Sequence, residues 1–167
     1  EFSFTAPSTP IPASGTTTFT ITFTPTSTGA KTAAFHLVTN APSPLDNYDI
    51  NLTATGTTPD MEITDHPDLS GSYNFGDVVW GGTAGTKTFT IQNTGTAPLT
   101  LSAASFGATQ YTATPIASPI APGDSTTFTV TFTPTARGVI NTTMSIANNV
   151  TGSKNPYTVN LTGKGIA

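Results

Sequence analysis

The side chains that most often carry out catalysis are scarce in this sequence. It contains no cysteine and two histidines, His36 and His66. Enzymes that use a serine, threonine or cysteine nucleophile need a base within hydrogen-bond reach of it, and a third group holds that base in place. His36 alternates with Phe35 and Leu37, so we expect it on the solvent-facing side of a strand, and His66 follows Asp65 in a predicted loop. No base-to-nucleophile spacing stands out, and we predict that the protein is not an enzyme.

A short acidic run is the best candidate for a metal site. Its members are Asp60, Glu62, Asp65 and Asp68. Calcium prefers several carboxylate oxygens, but this run lacks the Asp-x-Asp-x-Asp-Gly spacing of a dedicated calcium loop. The acids also fit the solvated face of a first strand whose Met61 and Ile63 turn inward. We therefore predict no metal and no resident cofactor, with calcium at these four acids as the alternative.

Two aromatic residues have the chemistry of a carbohydrate-binding platform. Trp80 is the only tryptophan of the chain and precedes Gly81 and Gly82, and Tyr73 lies earlier in the same segment. An exposed indole with a nearby tyrosine can stack on a sugar ring. A single aromatic residue in this place equally covers the edge of a sheet or packs on a neighbouring domain. Trp80 and Tyr73 are thus candidate glycan-binding residues, with edge covering as the alternative.

Composition determines the kind of element that must position these residues. The 167 residues include 38 threonines, which are β-branched and suit strands, whereas residues that favour helices are few. An all-helical fold is excluded. The net charge of −4 offers no basic surface for nucleic acid. We therefore predict no nucleic acid binding. No segment approaches the roughly 20 apolar residues of a membrane span, so we also predict no membrane insertion.

An internal repeat divides the chain. The segment FTITFTPTSTG at residues 19–29 returns as FTVTFTPTARG at residues 128–138, an offset of 109. At this offset 19 of the 56 positions in residues 2–57 are identical, which indicates two copies of one unit. The identities include Pro10 with Pro119, Ile11 with Ile120, Asn40 with Asn149 and Tyr48 with Tyr157.

The second copy is longer than the first. It carries about fifty residues ahead of Tyr111 that have no counterpart before Phe2. We therefore predict three parts: the C-terminal half of a domain at 1–57, a short linker at 58–60, and a complete domain at 61–167.

Strands are predicted where apolar residues alternate with threonine, as Phe128, Val130 and Phe132 do. In the second copy the predicted strands span residues 61–64, 73–79, 86–93, 98–104, 109–112, 125–133, 139–147 and 156–163. In the first copy they span residues 3–5, 16–24, 30–38 and 47–55. Short strands separated by Gly, Asn and Pro indicate an all-β fold of tandem immunoglobulin-like sandwiches with Greek-key connections, the first only its C-terminal half. The predicted core of the second copy is Phe89, Ile91, Leu99, Leu101, Phe128, Val130, Phe132, Met144, Ile146, Val159 and Leu161.

The first copy has an apolar face without strands to cover it. The inward positions are Phe19, Ile21, Phe23, Phe35, Leu37, Ile50 and Leu52. A monomer seldom exposes so large an apolar patch, and open strand edges invite pairing. We predict that these residues bind strands of a neighbouring immunoglobulin-like module of the same or an identical chain. The sequence leaves open whether upstream sequence or another chain supplies them.

Three ordered segments of the second copy resemble a known repeat. They are FGDVVWGGTAGTKTFTIQNTGTAPLTL, IAPGDSTTFTVTFTPTARG and YTVNLTGKG, at residues 75–101, 120–138 and 157–165. This series resembles the Hydin-type (ASH) immunoglobulin-like repeat. That repeat is common in large bacterial surface proteins of the choice-of-anchor D kind and is related in fold to major sperm protein and PapD-like sandwiches. The resemblance covers residues 59–167 and, as a fragment, 2–56; it implies a structural or binding role without a shared active site.

These observations together predict the function. We expect a non-catalytic structural or adhesive repeat of a larger extracellular bacterial protein, acting at the cell surface as a stalk, spacer or filament-assembly subunit. The alternative is a carbohydrate-binding accessory module of a secreted hydrolase, with a glycan as its partner.

Overall fold

The computed structural model describes residues 1–65 and 72–167, and every regular element in them is a β-strand. The chain forms two compact units, Glu1–Thr57 (unit 1) and Thr58–Ala167 (unit 2). Both are all-β, which confirms the predicted fold class. Among the described residues there is no helix of the length and apolar character needed to cross a membrane.

Unit 1 consists of two antiparallel ribbons. Its strands are β1 (Phe2–Phe4), β2 (Ile21–Phe23), β3 (Gly29–Val38) and β4 (Asn47–Gly56). Strand β1 pairs with β2, and β3 pairs with β4. The ring of Phe35 on β3 lies 5.1 Å from that of Phe4 and 5.0 Å from that of Phe19. The two ribbons therefore face each other through a small aromatic cluster.

Unit 2 is an immunoglobulin-like sandwich of two four-stranded sheets. Its strands are β5 (Met61–Ile63), β6 (Ser72–Val79), β7 (Gly85–Asn93), β8 (Ser105–Phe106), β9 (Tyr111–Ala113), β10 (Ser125–Phe132), β11 (Gly138–Ile146) and β12 (Tyr157–Ile166). One sheet has the order β5-β7-β10-β9 and the other β6-β12-β11-β8. Strands β6 and β12 run parallel, and the other pairs are antiparallel.

The core of unit 2 follows the period-two pattern of its strands. Of the eleven predicted core residues, ten are buried, and Leu101 is partly buried against the others. The other buried members of the core are Met61, Ile63, Val78, Tyr111, Ile120, Val150 and Tyr157. Burying apolar side chains from both sheets provides the main driving force for this fold.

The strand predicted at residues 98–104 is wrong. Leu99 makes an isolated bridge to Ile120, ahead of β10, whereas Leu101 bridges to Asn148, after β11. These partners are next to different sheets, so the segment crosses from one sheet to the other and cannot form a continuous ladder. A short strand begins only afterwards, with β8.

The predicted linker at residues 58–60 is instead part of unit 2. The carbonyl oxygen of Thr58 accepts hydrogen bonds from the N–H groups of Thr96 and Ala97, at 2.8 and 3.1 Å. The carbonyl oxygen of Asp60 accepts one from the Thr94 N–H at 3.1 Å. These bonds fix the segment to the turn that follows β7.

The sequence repeat is also a structural repeat. At the offset of 109, strands β1 to β4 of unit 1 correspond to β9 to β12 of unit 2. Phe2 lies opposite Phe23 with ring centroids 4.8 Å apart, and Tyr111 lies opposite Phe132 with centroids 4.7 Å apart. The two units thus share strand order, register and the position of an aromatic pair.

Strand β2 is shorter than the predicted strand at residues 16–24. Its counterpart β10 extends over eight residues because β7 pairs with its whole length, from Gln92 opposite Ser125 to Gly85 opposite Phe132. Unit 1 has no strand in the place of β7, and β2 is regular only where β1 pairs with it.

Candidate functional site

The described histidine is part of an exposed pair. His36 on β3 lies opposite Asp49 on β4, and its Nδ1 is 2.5 Å from Asp49 Oδ1. Both side chains are largely exposed, and exposed ion pairs contribute little to stability. No hydroxyl nucleophile is bonded to this ring among the described residues. His66 lies outside the described residues.

The described members of the acidic run do not converge on one point. Asp60 Oδ1 contacts Lys154 Nζ at 2.7 Å, and Asp65 Oδ2 contacts Lys87 Nζ at 2.7 Å. Glu62 lies on β5 opposite Gln92, while Asp68 falls outside the described residues. Within residues 1–65 and 72–167 no three acidic or histidine side chains are grouped to hold a metal ion.

The lysine contacts also affect the charge of the acids. Partial burial disfavours the charged form of Asp60, but hydrogen bonds from the Lys154 ammonium and the Met61 N–H outweigh burial and lower its pKa. The pKa of Asp65 is lowered in the same way, against partial burial, by Lys87 and the Thr90 N–H. Each of these carboxylates is therefore already neutralised by one cation.

Met61 and Ile63 are fully buried, whereas Glu62 between them is half-buried. This alternation agrees with the strand interpretation of the acidic segment.

The two candidate glycan-binding residues lie apart. The ring of Tyr73 packs in the sandwich, 5.0 Å from the ring of Phe75 and 5.8 Å from that of Phe89. Trp80, just after β6, is 50% exposed. Seven residues of extended chain separate them, roughly 20 Å. They cannot contact one sugar ring together.

The predicted apolar residues of unit 1 differ in burial from their counterparts in unit 2. Phe35 is buried, Ile50 is exposed, and the remaining five of the seven predicted residues are half-buried. Their counterparts in unit 2 are all buried, at most 2% exposed: Phe128, Val130, Phe132, Met144, Ile146, Val159 and Leu161. The same strand set is therefore covered in unit 2 and open in unit 1.

The covering elements of unit 2 can be identified. Phe89 of β7 stacks on Phe128 with centroids 5.6 Å apart, and Phe75 of β6 packs on Phe132 at 5.8 Å. Strand β7 pairs with one edge of β10, and β6 pairs with one edge of β12. The described residues provide no such strand for β2 or β4.

The open face of unit 1 ends in a groove of about 660 Å³. Its walls include Thr9, Ile11, Phe19, Val38 and Asn40. Sequence reasoning assigned Phe19 to this face but missed the other four. The signal was present, because Ile11 and Asn40 are identical in the two copies, but their role depends on how loops of two ribbons meet.

The amino-acid sequence matches one family model, described as protein of unknown function (DUF1573), over residues 69–164. No curated protein matches it.

Several solved structures are similar in fold. A protein of unknown function from Porphyromonas gingivalis W83 is 18% identical with a TM-score of 0.54, over 83% of this chain and 67% of that chain. The ASH/PapD-like domain 7 of human CEP192 is 15% identical with a TM-score of 0.47, over 79% and 94%. The VesB protease of Vibrio cholerae is 10% identical with a TM-score of 0.40, over 66% and 32%.

Proposed function

Since this chain belongs to the family described as protein of unknown function (DUF1573), we propose its role from its own residues. It is a non-catalytic structural or adhesive immunoglobulin-like repeat of a larger extracellular bacterial protein. It acts as a stalk, spacer or filament-assembly subunit at the cell surface, with neighbouring modules as its partners.

One observation carries this proposal: the strand set β1 to β4 recurs as β9 to β12 with the same register. Repetition of one sandwich lengthens a protein without adding a reactive site. Charged side chains that could bind a ligand or take part in a reaction pair with each other instead, as Asp60 does with Lys154 and Asp65 with Lys87. The resemblance of residues 75–101 to ASH repeats of choice-of-anchor D proteins supports the bacterial and surface parts.

Surface exposure can be tested on intact cells that produce the parent protein. Protease added outside should remove an epitope placed in unit 2, while a cytosolic marker stays intact. Removal of the epitope only after lysis would overturn the extracellular location.

A carbohydrate-binding accessory module of a secreted hydrolase is the second candidate, because the Trp80 indole is half-exposed. Tyr73 belongs to the core, so a sugar would have to stack on Trp80 alone. Titration with a glycan panel, followed by the single-tryptophan fluorescence, separates the two functions. A saturable fluorescence change that is lost in Tyr73→Phe would contradict this placement of Tyr73. If no glycan changes the fluorescence, the structural role is favoured.

A further inference from the structure

Strands β6 and β12 of unit 2 are the one parallel pair among the described strands. On the basis of the proposed stalk or spacer role, we propose that this pair is a mechanical clamp. It keeps unit 2 folded when the chain is pulled along its length, as a module that connects two distant points is pulled.

The two units show where the chain enters and leaves a module. Strand β4, the last of unit 1, ends at Gly56, and unit 2 begins at Thr58. At the offset of 109, Gly56 corresponds to Gly165, near the end of β12. Tension along the chain therefore acts on the start of a module and on the C-terminal end of its last strand.

Parallel pairing decides how this tension acts on unit 2. Ser72 lies opposite Asn160 at one end of the ladder, and Val79 lies opposite Ile166 at the other. The tension pulls β6 from its Ser72 end and β12 from its Ile166 end, in opposite directions. The bonds between the two strands are then loaded together, in shear. In the antiparallel pair of β11 and β12, by contrast, the start of one strand lies beside the end of the other, and pulling these ends apart opens the bonds one at a time.

Further contacts strengthen the ladder at its Ile166 end. The Trp80 N–H, just after β6, donates to the Ile166 carbonyl at 2.9 Å. Lys164 Nζ lies 3.8 Å from Asp77 Oδ1, between residues that are opposite each other in the ladder. The bonds on this side and those on the Ser72 side must all break before β12 can move past β6.

Core packing prevents the two strands from sliding. From β6, the ring of Tyr73 packs 5.8 Å from that of Phe89, and Val78 is buried. From β12, Val159 and Leu161 are at most 2% exposed. A slip of β12 along β6 would move these side chains out of the core and expose apolar surface to water, which costs free energy. The ladder and the core therefore resist the same movement.

Strand β5 takes the load before β6 does, but its own ladder is short. It pairs with β7 over three residues only, Met61–Ile63. Rupture of this pair transfers the tension to β6. The β6-β12 ladder is then the direct connection between the two loaded ends of the sandwich.

The test is single-molecule force spectroscopy on the full chain. The chain contains no cysteine, so handles can be attached at two introduced ones. Thr57→Cys with Ala167→Cys loads β6 and β12 in shear and leaves unit 1 outside the path of the force. Arg137→Cys with Ala167→Cys loads the start of β11 and the end of β12, which unzips the same sandwich. All three positions are exposed.

At one pulling speed, the rupture force should be at least about twofold higher in the shear geometry, because forced unfolding is governed by the barrier that the pulled direction meets. The shear rupture should lengthen the tether by roughly 350 Å, the extended length of unit 2 less its folded length. Equal rupture forces in the two geometries would overturn the clamp.

A backbone variant tests the ladder itself. Trp80→Pro removes the N–H that bonds to Ile166 and should lower the shear rupture force, while the unzipping force stays the same. Trp80→Ala keeps this N–H and is the matched control, with the wild-type shear force expected. A decrease of the same size in both geometries would contradict the clamp, because it would reflect a general loss of stability.

The pulling experiment and the protease experiment on cells can fail separately. A high shear force in a protein that proves to be intracellular would leave the clamp and remove the proposed surface stalk. Equal forces in a protein that protease reaches from outside would leave a surface spacer and remove the clamp.

Discussion

The ring of Phe132 lies against the backbone of Gly163, so closely that a Cβ at position 163 would come within 2.5 Å of ring carbon Cε1. The two residues belong to β10 and β12, in opposite sheets, so the contact spans the middle of the sandwich. At the equivalent positions unit 1 has Phe23 and Ala54. The alanine Cβ excludes the same close approach, so the two layers of unit 1 pack differently at this point.

Phe132→Ala should lower the free energy of unfolding of unit 2 by about 3–5 kcal/mol, because it removes a fully buried ring and leaves a cavity. Urea denaturation monitored by circular dichroism measures the change. Val139→Ala, at an exposed position of the same unit, is the control and should have an effect within about 0.5 kcal/mol. A neutral Phe132→Ala would contradict the assigned inward phase of β10.

Acid should destabilise unit 2 partly through Asp65. Its pKa is lowered in the folded state, so its contribution to stability is present above the unfolded pKa of about 3.9 and is lost as the pH falls through the folded value. Urea denaturation at a series of pH values should show this loss below about pH 4. Asp65→Asn should reduce the slope of the free energy of unfolding against pH in this range. Equal slopes in wild type and Asp65→Asn would show that the Lys87 contact does not form.

Calcium should have little effect on stability. Asp60 and Asp65 each already bind a lysine, and a metal ion would have to displace both. The melting temperature should stay the same after treatment with a chelator and after addition of calcium. A decrease of several degrees with chelator that disappears when Asp65 and Asp68 are both changed to Asn would reverse this prediction.

Tyr111 should ionise only in strong alkali. Burial raises its pKa to about 12, and its hydroxyl donates a hydrogen bond to the Ile140 carbonyl at 2.8 Å. Because the folded pKa is raised, the contribution of Tyr111 to stability is complete below the unfolded pKa of about 10 and is lost as the pH rises towards 12. Absorbance titration should show a component near pH 12 that is lost in Tyr111→Phe. Loss of a component near pH 10 would instead place this ring in solvent.

Local patterns accounted for most strands of this protein. Alternating apolar residues and threonines located β7, β10, β11 and β12 to within a few residues, because a strand with one buried face needs only a period of two. The repeat also assigned the apolar residues of unit 1 to the inward sides of its strands. These are properties of neighbouring positions, which a sequence displays directly.

Tertiary structure decided what depends on distant partners. Asn93 ends the predicted strand at residues 86–93, yet it is fully buried, and its Nδ2 donates to the carbonyls of Ala97 and Ile120 at 2.8 and 3.0 Å. The sequence also does not predict that the segment with Leu99 and Leu101 crosses between the sheets. Nor does it predict the open groove at Ile11 and Asn40. A hydrogen bond or a cavity between segments far apart in sequence forms only when the fold brings them together, and no local period encodes that meeting.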